Sequence, residues 1–412
     1  MTKHTRSLLL GLLALALVLT LPSNGPLPIP EGAPESAEPS QSIPSYVEKT
    51  VPSPNPTPSP ESTPSPDPTH SPDPTLSPEQ ELQIFIDSLI DAMSPREQVS
   101  QLFIITVGAR SEHAPGGWIL FPENITTVEG TRALTDELLA KSKIAPFIAI
   151  DEEGGRVSRL RSAGLPGYQS PPAAARLRDT QTAYEAGKYI GETLHAIGVN
   201  LDFAPVADIL TNPGNTVIGD RAFGSDPQYV CEMVSAFQRG LHDTGVMSAL
   251  KHFPGHGGTS GNSHMGAVSI PYDAGRLSEV EYLPFIRGIA EGAQFVMAGH
   301  IMVPNADPSG LPATLSPYFL TEILRGELGF EGIIVTDAMN MGAITDMYTS
   351  AQGAVMAIVA GADMILVPQD YSEAVEGVLA AVESGLISRA RIRLSLGRIL
   401  RIKIEAGLIV FS

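Results

Sequence analysis

The chain has 412 residues, of which 26 are Lys or Arg and 45 are Asp or Glu, so its formal net charge is −19. A chain this acidic repels phosphates, which excludes a general nucleic-acid-binding protein. The single cysteine, Cys231, excludes an intramolecular disulfide and any cysteine-based zinc or iron–sulfur site.

The N-terminus has the pattern of an export signal. A basic start, Lys3 to Arg6, precedes a 14-residue apolar run from Leu8 to Leu21. This length suits the core of a signal sequence and is shorter than the ~20 residues of a membrane-spanning helix. No cysteine follows for a lipoprotein anchor, and no clear A-x-A cleavage site is present. We therefore predict that residues 1–21 are a signal peptide or an uncleaved signal anchor.

The next segment is rich in proline. Between Pro22 and Pro78 lie 18 of the 36 prolines, interleaved with Ser and Thr. Such a segment has little apolar surface to bury and favours an extended polyproline-II spacer. A ligand for a proline-recognising module is the alternative, although it is less favoured outside a cell. We predict a disordered linker over residues 22–78, and an extracellular or cell-surface protein that contacts the membrane only through a possible N-terminal anchor.

Residues 79–412 read as one large α/β domain with 23 basic and 38 acidic residues, a net charge of −15. Short apolar runs rich in β-branched residues recur along this region and predict strands. There are eight of them: Leu102–Val107, Gly117–Leu120, Phe147–Ile150, Val199–Phe203, Val246–Leu250, Phe295–Ala298, Ile333–Thr336 and Met364–Val367.

Segments with helical periodicity separate most of these strands. They are Thr180–Ile197, Pro227–Asp243, Leu277–Glu291, Pro317–Leu328 and Tyr371–Ser384, with a helix at Leu82–Met93 before the first strand and a closing helix at Ser388–Ala406. Strands that alternate with helices form a parallel sheet with right-handed crossovers. Eight such units favour a (β/α)₈ TIM-type barrel, and no GxGxxG follows the first strand to support a dinucleotide-binding fold.

Ionisable residues lie where four of the predicted strands end. Asp151 follows FIAI, Lys251 and His252 follow VMSAL, His300 follows FVMAG, and Asp337 follows IIVT. In a barrel the carboxyl ends of all strands meet at one face, where active sites lie. An ion pair that closes this face explains any one of these residues equally well, but several together indicate an active site.

The segment Lys251–His264, KHFPGHGGTSGNSH, predicts a long loop after the fifth strand. His252, His256 and His264 suggest a metal site, but the loop has no carboxylate and no helical ligand spacing. Its glycines suggest a phosphate cradle, but the order GxxxxGK[ST] is absent. The third interpretation is a loop that delivers a histidine to a substrate held by the Lys–His pair.

Five segments, in this order along the chain, resemble family 3 glycoside hydrolases, and within them the single-barrel β-N-acetylglucosaminidases. They are IDEEGGRVSRL (Ile150–Leu160), NLDFAPVADI (Asn200–Ile209), IGDRAFG (Ile218–Gly224), KHFPGHG (Lys251–Gly257) and GIIVTDAMNM (Gly332–Met341). The resemblance extends from about Leu82 to the C-terminus and rests on specific motifs. It implies a retaining double displacement without a metal or organic cofactor, on a terminal β-linked N-acetylhexosaminide such as a peptidoglycan fragment, by a monomer.

The resemblance also implies the roles of individual residues. Asp337 matches the nucleophile that forms a covalent glycosyl-enzyme, and His264 matches the general acid/base. The substrate-binding positions are matched by Asp151, Arg221, Lys251 and His252. A salt bridge from Arg221 to Asp220 or to another acid is the competing role for that side chain.

The chain departs from the family pattern at position 262. The relatives have an Asp two residues before the loop histidine, whereas this chain has Asn262 before Ser263 and His264. Asparagine brings no negative charge to stabilise an imidazolium and can hold the wrong tautomer, a change that costs ~10⁴ in turnover in a serine-protease triad. Gly258 is a lesser departure, at a place where relatives often have Asp.

Three functions therefore stay open. The first is an exported β-N-acetylglucosaminidase, and the second is a glycan-binding relative that Asn262 has weakened or inactivated. A β-glucosidase-type member ranks third, because those relatives usually have a further domain and do without the Ser–His of the loop.

Overall fold

In a computed structural model, the described residues are 76–168, 179–261 and 265–411. The chain divides after Ser77 into two units, and the second, Pro78–Ser412, holds the folded body. The predicted export signal, and the predicted linker up to residue 75, lie outside the described residues. Within the described part of the chain, no helix is both long and apolar enough to cross a membrane.

Eight parallel strands form a barrel, which confirms the predicted fold. They are β1 (Phe103–Thr106), β2 (Gly117–Ile119), β3 (Phe147–Ile150), β4 (Leu201–Asp202), β5 (Met247–Phe253), β6 (Phe295–Ala298), β7 (Ile333–Thr336) and β8 (Ile365–Leu366). Each strand pairs with its neighbours in the chain, and β8 also pairs with β1. Between β7 and β8, the amide of Thr336 donates to the carbonyl of Met364 at 3.1 Å and closes the circle.

Helices cover the outside of the barrel. The α-helices of six or more residues are Pro78–Asp91, Pro95–Ser100, Val128–Ala140, Thr180–Ala196, Pro227–His242, Leu283–Ala290, Ser350–Ala360, Tyr371–Glu383 and Arg389–Glu405, and π-helical turns span Leu277–Glu281 and Tyr318–Glu327. The helix predicted over Leu277–Glu291 is therefore divided in two. Pro284 lies at the start of the second part, where its missing amide hydrogen costs no helical hydrogen bond.

Strand β5 is longer than predicted and changes the position of the Lys–His pair. The sequence suggested that the strand ends at Leu250, but it continues through Phe253, and Lys251 pairs in register with Met297 of β6. The carbonyl of Lys251 also accepts a 2.6 Å hydrogen bond from the amide of Ala207. Lys251 and His252 are therefore held by the barrel wall and do not belong to the following loop.

A lysine lies in the barrel at the amino ends of the strands. Lys403, on the closing helix Arg389–Glu405, is fully buried, and its ammonium lies 4.9 Å from the centre of the Phe147 ring. It donates a 2.9 Å hydrogen bond to Oε1 of Gln101 just before β1. Burial lowers the pKa of Lys403 to about 7, because few groups there replace the water around a charged ammonium.

We expect Lys403→Met to stabilise the fold and to flatten its pH dependence. Between pH ~7 and ~10.5 the unfolded chain holds a proton on Lys403 that the folded chain releases, so this lysine makes stability rise with pH across that window. Removing this lysine should add roughly 1–4 kcal/mol to the free energy of unfolding near pH 7, less the cost of leaving Oε1 of Gln101 without its hydrogen bond. Urea unfolding at pH 7, 8 and 9 measures both effects, with Lys188→Met, at an exposed lysine, as the control. An unchanged midpoint and pH slope would contradict this account.

A buried aspartate ties the closing helix to the barrel. Asp363, just before β8, is fully buried and contacts Arg325, while its Oδ1 lies 2.7 Å from Oγ of Ser395 and 3.1 Å from Nη1 of Arg398. It also accepts the amide of Ile334 in β7 at 3.0 Å. One carboxylate therefore joins the closing helix to the two strands that complete the barrel.

Candidate active site

A cavity of about 550 Å³ opens at the carboxyl ends of the barrel strands. Its side chains come from the ends of seven strands, β2 to β8, and from the segments that follow them. Five of the predicted site residues line it together: Asp151, Arg221, Lys251, His252 and Asp337. The fold thus brings these five predicted residues into one cavity, although Asp151 and Asp337 are 186 residues apart in sequence.

Lys251 lies at the centre of the polar side of this cavity. Its ammonium is 2.9 Å from Oδ1 of Asp151 and 2.6 Å from Oε1 of Glu153, and its side chain is only 2% exposed. The second oxygen of Asp151 accepts a 2.9 Å hydrogen bond from Nη2 of Arg159. Two carboxylates therefore fix the ammonium from two sides.

Arg221 lies beside Lys251, in a short 3₁₀ turn after β4. It makes two parallel 2.8 Å hydrogen bonds to the Glu153 carboxylate, through Nε and Nη2. The competing role of this side chain was a salt bridge to Asp220 or to another acid. Arg221 does form such a salt bridge, and its partner is Glu153. Asp220 instead pairs with Arg156, at 2.7 Å.

The charges of this network compensate one another. Burial alone would raise the pKa of the Asp151 and Glu153 carboxyls, but Lys251 and the neighbouring arginines hold both pKa values below the ordinary range. Burial would likewise lower the pKa of Lys251, but the same two carboxylates raise it. All three groups are therefore charged near neutral pH and present fixed charges to a ligand.

His252 is oriented by a buried carboxylate. Its Nδ1 lies 2.7 Å from Oδ2 of Asp208, which is fully buried, and its Nε2 lies 3.3 Å from Nη2 of Arg221. The other oxygen of Asp208 accepts the amides of His252 and His256, at 3.2 and 2.6 Å. Because Arg221 can only donate, this arrangement favours the tautomer with hydrogen on Nδ1.

His256, the second histidine of the KHFPGHG motif, also lines the cavity. Burial lowers its pKa to about 4. Its Nδ1 lies 2.9 Å from Oγ1 of Thr259. A neutral imidazole therefore lines this part of the cavity.

Asp337 follows β7 directly and faces the cavity. Its amide donates to the carbonyl of Ala298 at 2.9 Å, and its Oδ1 accepts the amide of Ala338 at 2.7 Å. Burial alone would raise the pKa of this carboxyl, but His300, His252 and the Ala338 amide lower it below its ordinary value. His300 also lies 3.0 Å, through Nε2, from the carbonyl of Ala338 and so contacts the same turn. The result is an ionised carboxylate on a rigid strand end.

The cavity has two unlike flanks. Strands β3 and β7, which carry Asp151 and Asp337, lie opposite each other in the barrel order. The charged flank comes from the segments of β4 and β5 and carries Arg221, Lys251 and the two histidines. The apolar flank comes from β8 and β2, and its lining residues are Leu366, Val367, Ile119 and Phe121.

Val367 on the apolar flank has an unusual backbone. Its φ is +42°, and no other non-glycine residue in the described ranges has a positive φ. A β-branched residue is strained in this region, and such strain is concentrated at functional sites. Its amide nevertheless donates to the carbonyl of Ile104 at 2.8 Å, which holds the turn against β1.

Gly258, the lesser departure from the family pattern, lies close to Tyr272. A Cβ atom at position 258 would lie 2.6 Å from the Tyr272 hydroxyl, which is itself 3.0 Å from Oγ1 of Thr211. The phenol thus occupies space that a larger side chain at position 258 would need.

Two of the predicted site residues, Asn262 and His264, lie outside the described residues. Conversely, Glu153, Asp208 and Arg159 hold the site together but were not predicted. Glu153 and Arg159 belong to the motif IDEEGGRVSRL and Asp208 to NLDFAPVADI, so the motifs contained them. Only their long-range pairing distinguishes Glu153 and Asp208 from the neighbouring acids. Over residues 76–168, 179–261 and 265–411, no group of three or more His, Cys, Asp or Glu side chains could hold a metal ion.

The chain is similar to known glycosidases over most of the barrel. Residues 105–402 match the family described as glycosyl hydrolase family 3 N terminal domain. "Beta-hexosaminidase A" of Pseudoalteromonas piscicida is 32% identical over 71% of this chain and 54% of its own length. "Beta-hexosaminidase LpqI" of Mycobacterium tuberculosis is 35% identical over 66% of this chain and 73% of its own length. This chain thus spans about half the length of the Pseudoalteromonas relative.

Solved structures agree with these sequence matches. A glycoside hydrolase family 3 β-N-acetylglucosaminidase from Paenibacillus sp. superposes with a TM-score of 0.72 at 36% identity, over 78% of this chain and 65% of that one. Mycobacterium tuberculosis LpqI superposes with a TM-score of 0.70 at 30% identity, over 77% of this chain and 96% of that one.

Proposed function

The chain belongs to glycosyl hydrolase family 3 through its N-terminal-type barrel domain, and from that membership we propose that it is an exported, retaining β-N-acetylhexosaminidase. It would remove terminal β-linked N-acetylglucosamine from cell-wall-derived or other glycans, outside the cell or at its surface. The relatives named above support the activity, and the basic and apolar pattern of residues 1–21 supports the export.

The observation that carries the proposal is the position of Asp337. It is an ionised carboxylate at a strand end that faces a cavity of sugar size, across the barrel from a cluster of charged hydrogen-bonding groups. A nucleophile needs this combination of rigidity and negative charge. An Oδ atom of Asp337 would attack the anomeric carbon, form a C–O bond to it and displace the leaving oxygen.

Proton transfer is assigned to His264. In the first step its imidazolium would give a proton to the departing oxygen, and in the second its neutral ring would take a proton from the water that attacks the anomeric carbon. The bond between that carbon and Asp337 then breaks and frees the carboxylate. Two inversions at one carbon leave the product with the β configuration of the substrate.

The charged flank, together with Asp151 beside it, would bind the sugar. The Asp151 carboxylate, the Lys251 ammonium and the Arg221 guanidinium are already held by one another, so little side-chain freedom is lost when hydroxyl groups bind. Opposite them, the apolar flank can pack against the carbon-bound hydrogens of the ring. A site with one polar and one apolar wall suits a sugar, whose polar groups project from its edges.

A non-catalytic glycan-binding protein is the second candidate, and Asn262 is the residue that favours it. The cavity and its charged flank would bind a sugar even where proton transfer is slow. A β-glucosidase-type enzyme is the third candidate, because "Beta-glucoside phosphorylase BglX", named for a β-glucoside substrate, superposes with a TM-score of 0.74 at 27% identity, over 81% of this chain and 61% of that one.

An assay on two substrates tests the proposal. We expect the protein to hydrolyse 4-nitrophenyl N-acetyl-β-D-glucosaminide and to favour it over 4-nitrophenyl β-D-glucoside by at least tenfold in kcat/KM. Proton NMR of the first product formed should show the β anomer. Sugar binding without turnover at any pH would favour the binding protein, and a preference for the glucoside would favour the third candidate.

A further inference from the structure

We propose that Glu153 is a positioning residue that sets the direction of both cationic groups of the charged flank, Lys251 and Arg221. The inference rests on the proposed function, because it assigns these two cations to sugar binding. It adds a role for a residue that makes no assigned contact with substrate.

Contacts within the cavity support this role. Glu153 is 2% exposed, accepts two 2.8 Å hydrogen bonds from Arg221, and lies 2.6 Å from the Lys251 ammonium. Of the described acidic side chains, it alone forms a salt bridge with Arg221. Lys251 has a second carboxylate partner in Asp151, so Glu153 is the group that joins the two cations.

These bonds also decide which hydrogens remain for a ligand. Two of the three ammonium hydrogens of Lys251 face Asp151 and Glu153, which leaves one for a sugar hydroxyl. On Arg221, Nε and one Nη2 hydrogen face Glu153, the other Nη2 hydrogen faces Nε2 of His252, and Nη1 donates to the carbonyl of Val217 at 3.2 Å, which leaves one Nη1 hydrogen. Glu153 therefore orients each cation so that one donor remains for a ligand. Its negative charge also compensates the repulsion between the two positive charges.

Asp202, a further buried acid near Lys251, does not take over this charge. Asp202, at the end of β4, is fully buried, and its Oδ2 has no hydrogen-bond partner among the described residues. Burial raises the pKa of Asp202 well above its ordinary value, which disfavours its charged form. The charged groups that face Lys251 are then Asp151 and Glu153, with Arg221 beside them and Asp337 on the far side of the cavity.

The test compares Glu153→Gln and Glu153→Asp on 4-nitrophenyl N-acetyl-β-D-glucosaminide. Glu153→Gln keeps the shape but removes the charge, and we expect roughly a 100-fold loss in kcat/KM, mostly through a higher KM. Without Glu153, the positive Arg221 lowers the pKa of Lys251, so the alkaline limb of the profile of N-acetylglucosamine binding against pH, measured by calorimetry, should move down by about one pH unit or more. Glu153→Asp keeps the charge and should keep that limb in place.

Asp363→Asn is the matched control. Asp363 also bridges buried cations, but it lies at the other end of the barrel, so its loss should lower the unfolding midpoint without moving KM or the pH profile. A wild-type KM and alkaline limb in Glu153→Gln would overturn the proposal. If Glu153→Gln does not fold, Glu153→Asp decides instead. A wild-type KM together with a shifted alkaline limb in Glu153→Asp would overturn the proposal.

Calorimetry with N-acetylglucosamine separates this inference from the proposed function. Glu153→Gln should bind the sugar at least tenfold more weakly than the wild type, whether or not the wild type turns over substrate. Binding by the wild type without turnover would defeat the proposed enzyme and leave the positioning role standing. Equal binding by both proteins would overturn the positioning role alone.

Discussion

Replacement of Asp337 by alanine is expected to abolish hydrolysis of 4-nitrophenyl N-acetyl-β-D-glucosaminide, with a loss on the order of 10⁴-fold or more in kcat. Without the carboxylate, no group at the end of β7 can form the glycosyl-enzyme. The half-buried position of Asp337 beside His300 and His252 means that water cannot simply replace its charge. Initial rates at saturating substrate measure the loss.

Chemical rescue makes this test specific. Azide should enter the space vacated in Asp337→Ala and attack the anomeric carbon of an activated aryl glycoside, giving the α-glycosyl azide. Asp346→Ala, an exposed aspartate in the same segment, is the control and should retain wild-type activity. Turnover by Asp337→Ala above about 1% of wild type, without azide, would remove Asp337 as the nucleophile.

Asn262→Asp is expected to increase kcat, by between ~10-fold and ~10⁴-fold. The upper bound is the effect of the equivalent Asp-to-Asn change in a serine-protease triad. A carboxylate at position 262 would fix the His264 tautomer and stabilise its imidazolium during both proton transfers. The gain should be larger for substrates with poor leaving groups, which depend most on the acid, so methyl and 4-nitrophenyl glycosides should be compared.

A double-mutant cycle with His264→Ala identifies the source of the gain. If the introduced carboxylate acts through the histidine, the Asn262→Asp change should give nothing on the His264→Ala background. An equal gain on both backgrounds would show that the new carboxylate acts directly. A third outcome is that Asn262→Asp gives no gain although His264→Ala inactivates the wild type. This would mean that another acid already orients the histidine.

The barrel could be predicted because its strands are buried on both faces. Runs such as Phe147–Ile150 and Ile333–Thr336 are continuous and apolar, and they match the observed strands. The helix Val128–Ala140 was missed because its apolar stripe is weak, and an N-cap from Thr127 to the amide of Gly130 helps to define its start. The contribution of such a local cap to helix formation is hard to judge from residue composition.

The site could be predicted only in part, for a different reason. Asp151, Lys251 and Asp337 stand out because each is an ionisable residue directly after a continuous apolar run. Glu153 and Asp208 become recognisable only through partners 68 and 44 residues away, Arg221 and His252. Nothing local separates these two acids from Glu152 or Asp202, which are also buried.

The contacts of the closing helix have a consequence for synthesis. Arg393 pairs with Asp87 and Arg401 with Glu79, both at 2.7 Å, while Lys403 reaches Gln101 and Asp363 contacts the same helix. Except for the contact of Asp363, these pairs join segments that are more than 300 residues apart in sequence. A nascent chain on the ribosome therefore cannot complete the barrel until its last helix has emerged. For a protein proposed to be exported, this late contact keeps residues 78–412 incompletely folded until the closing helix has been synthesised.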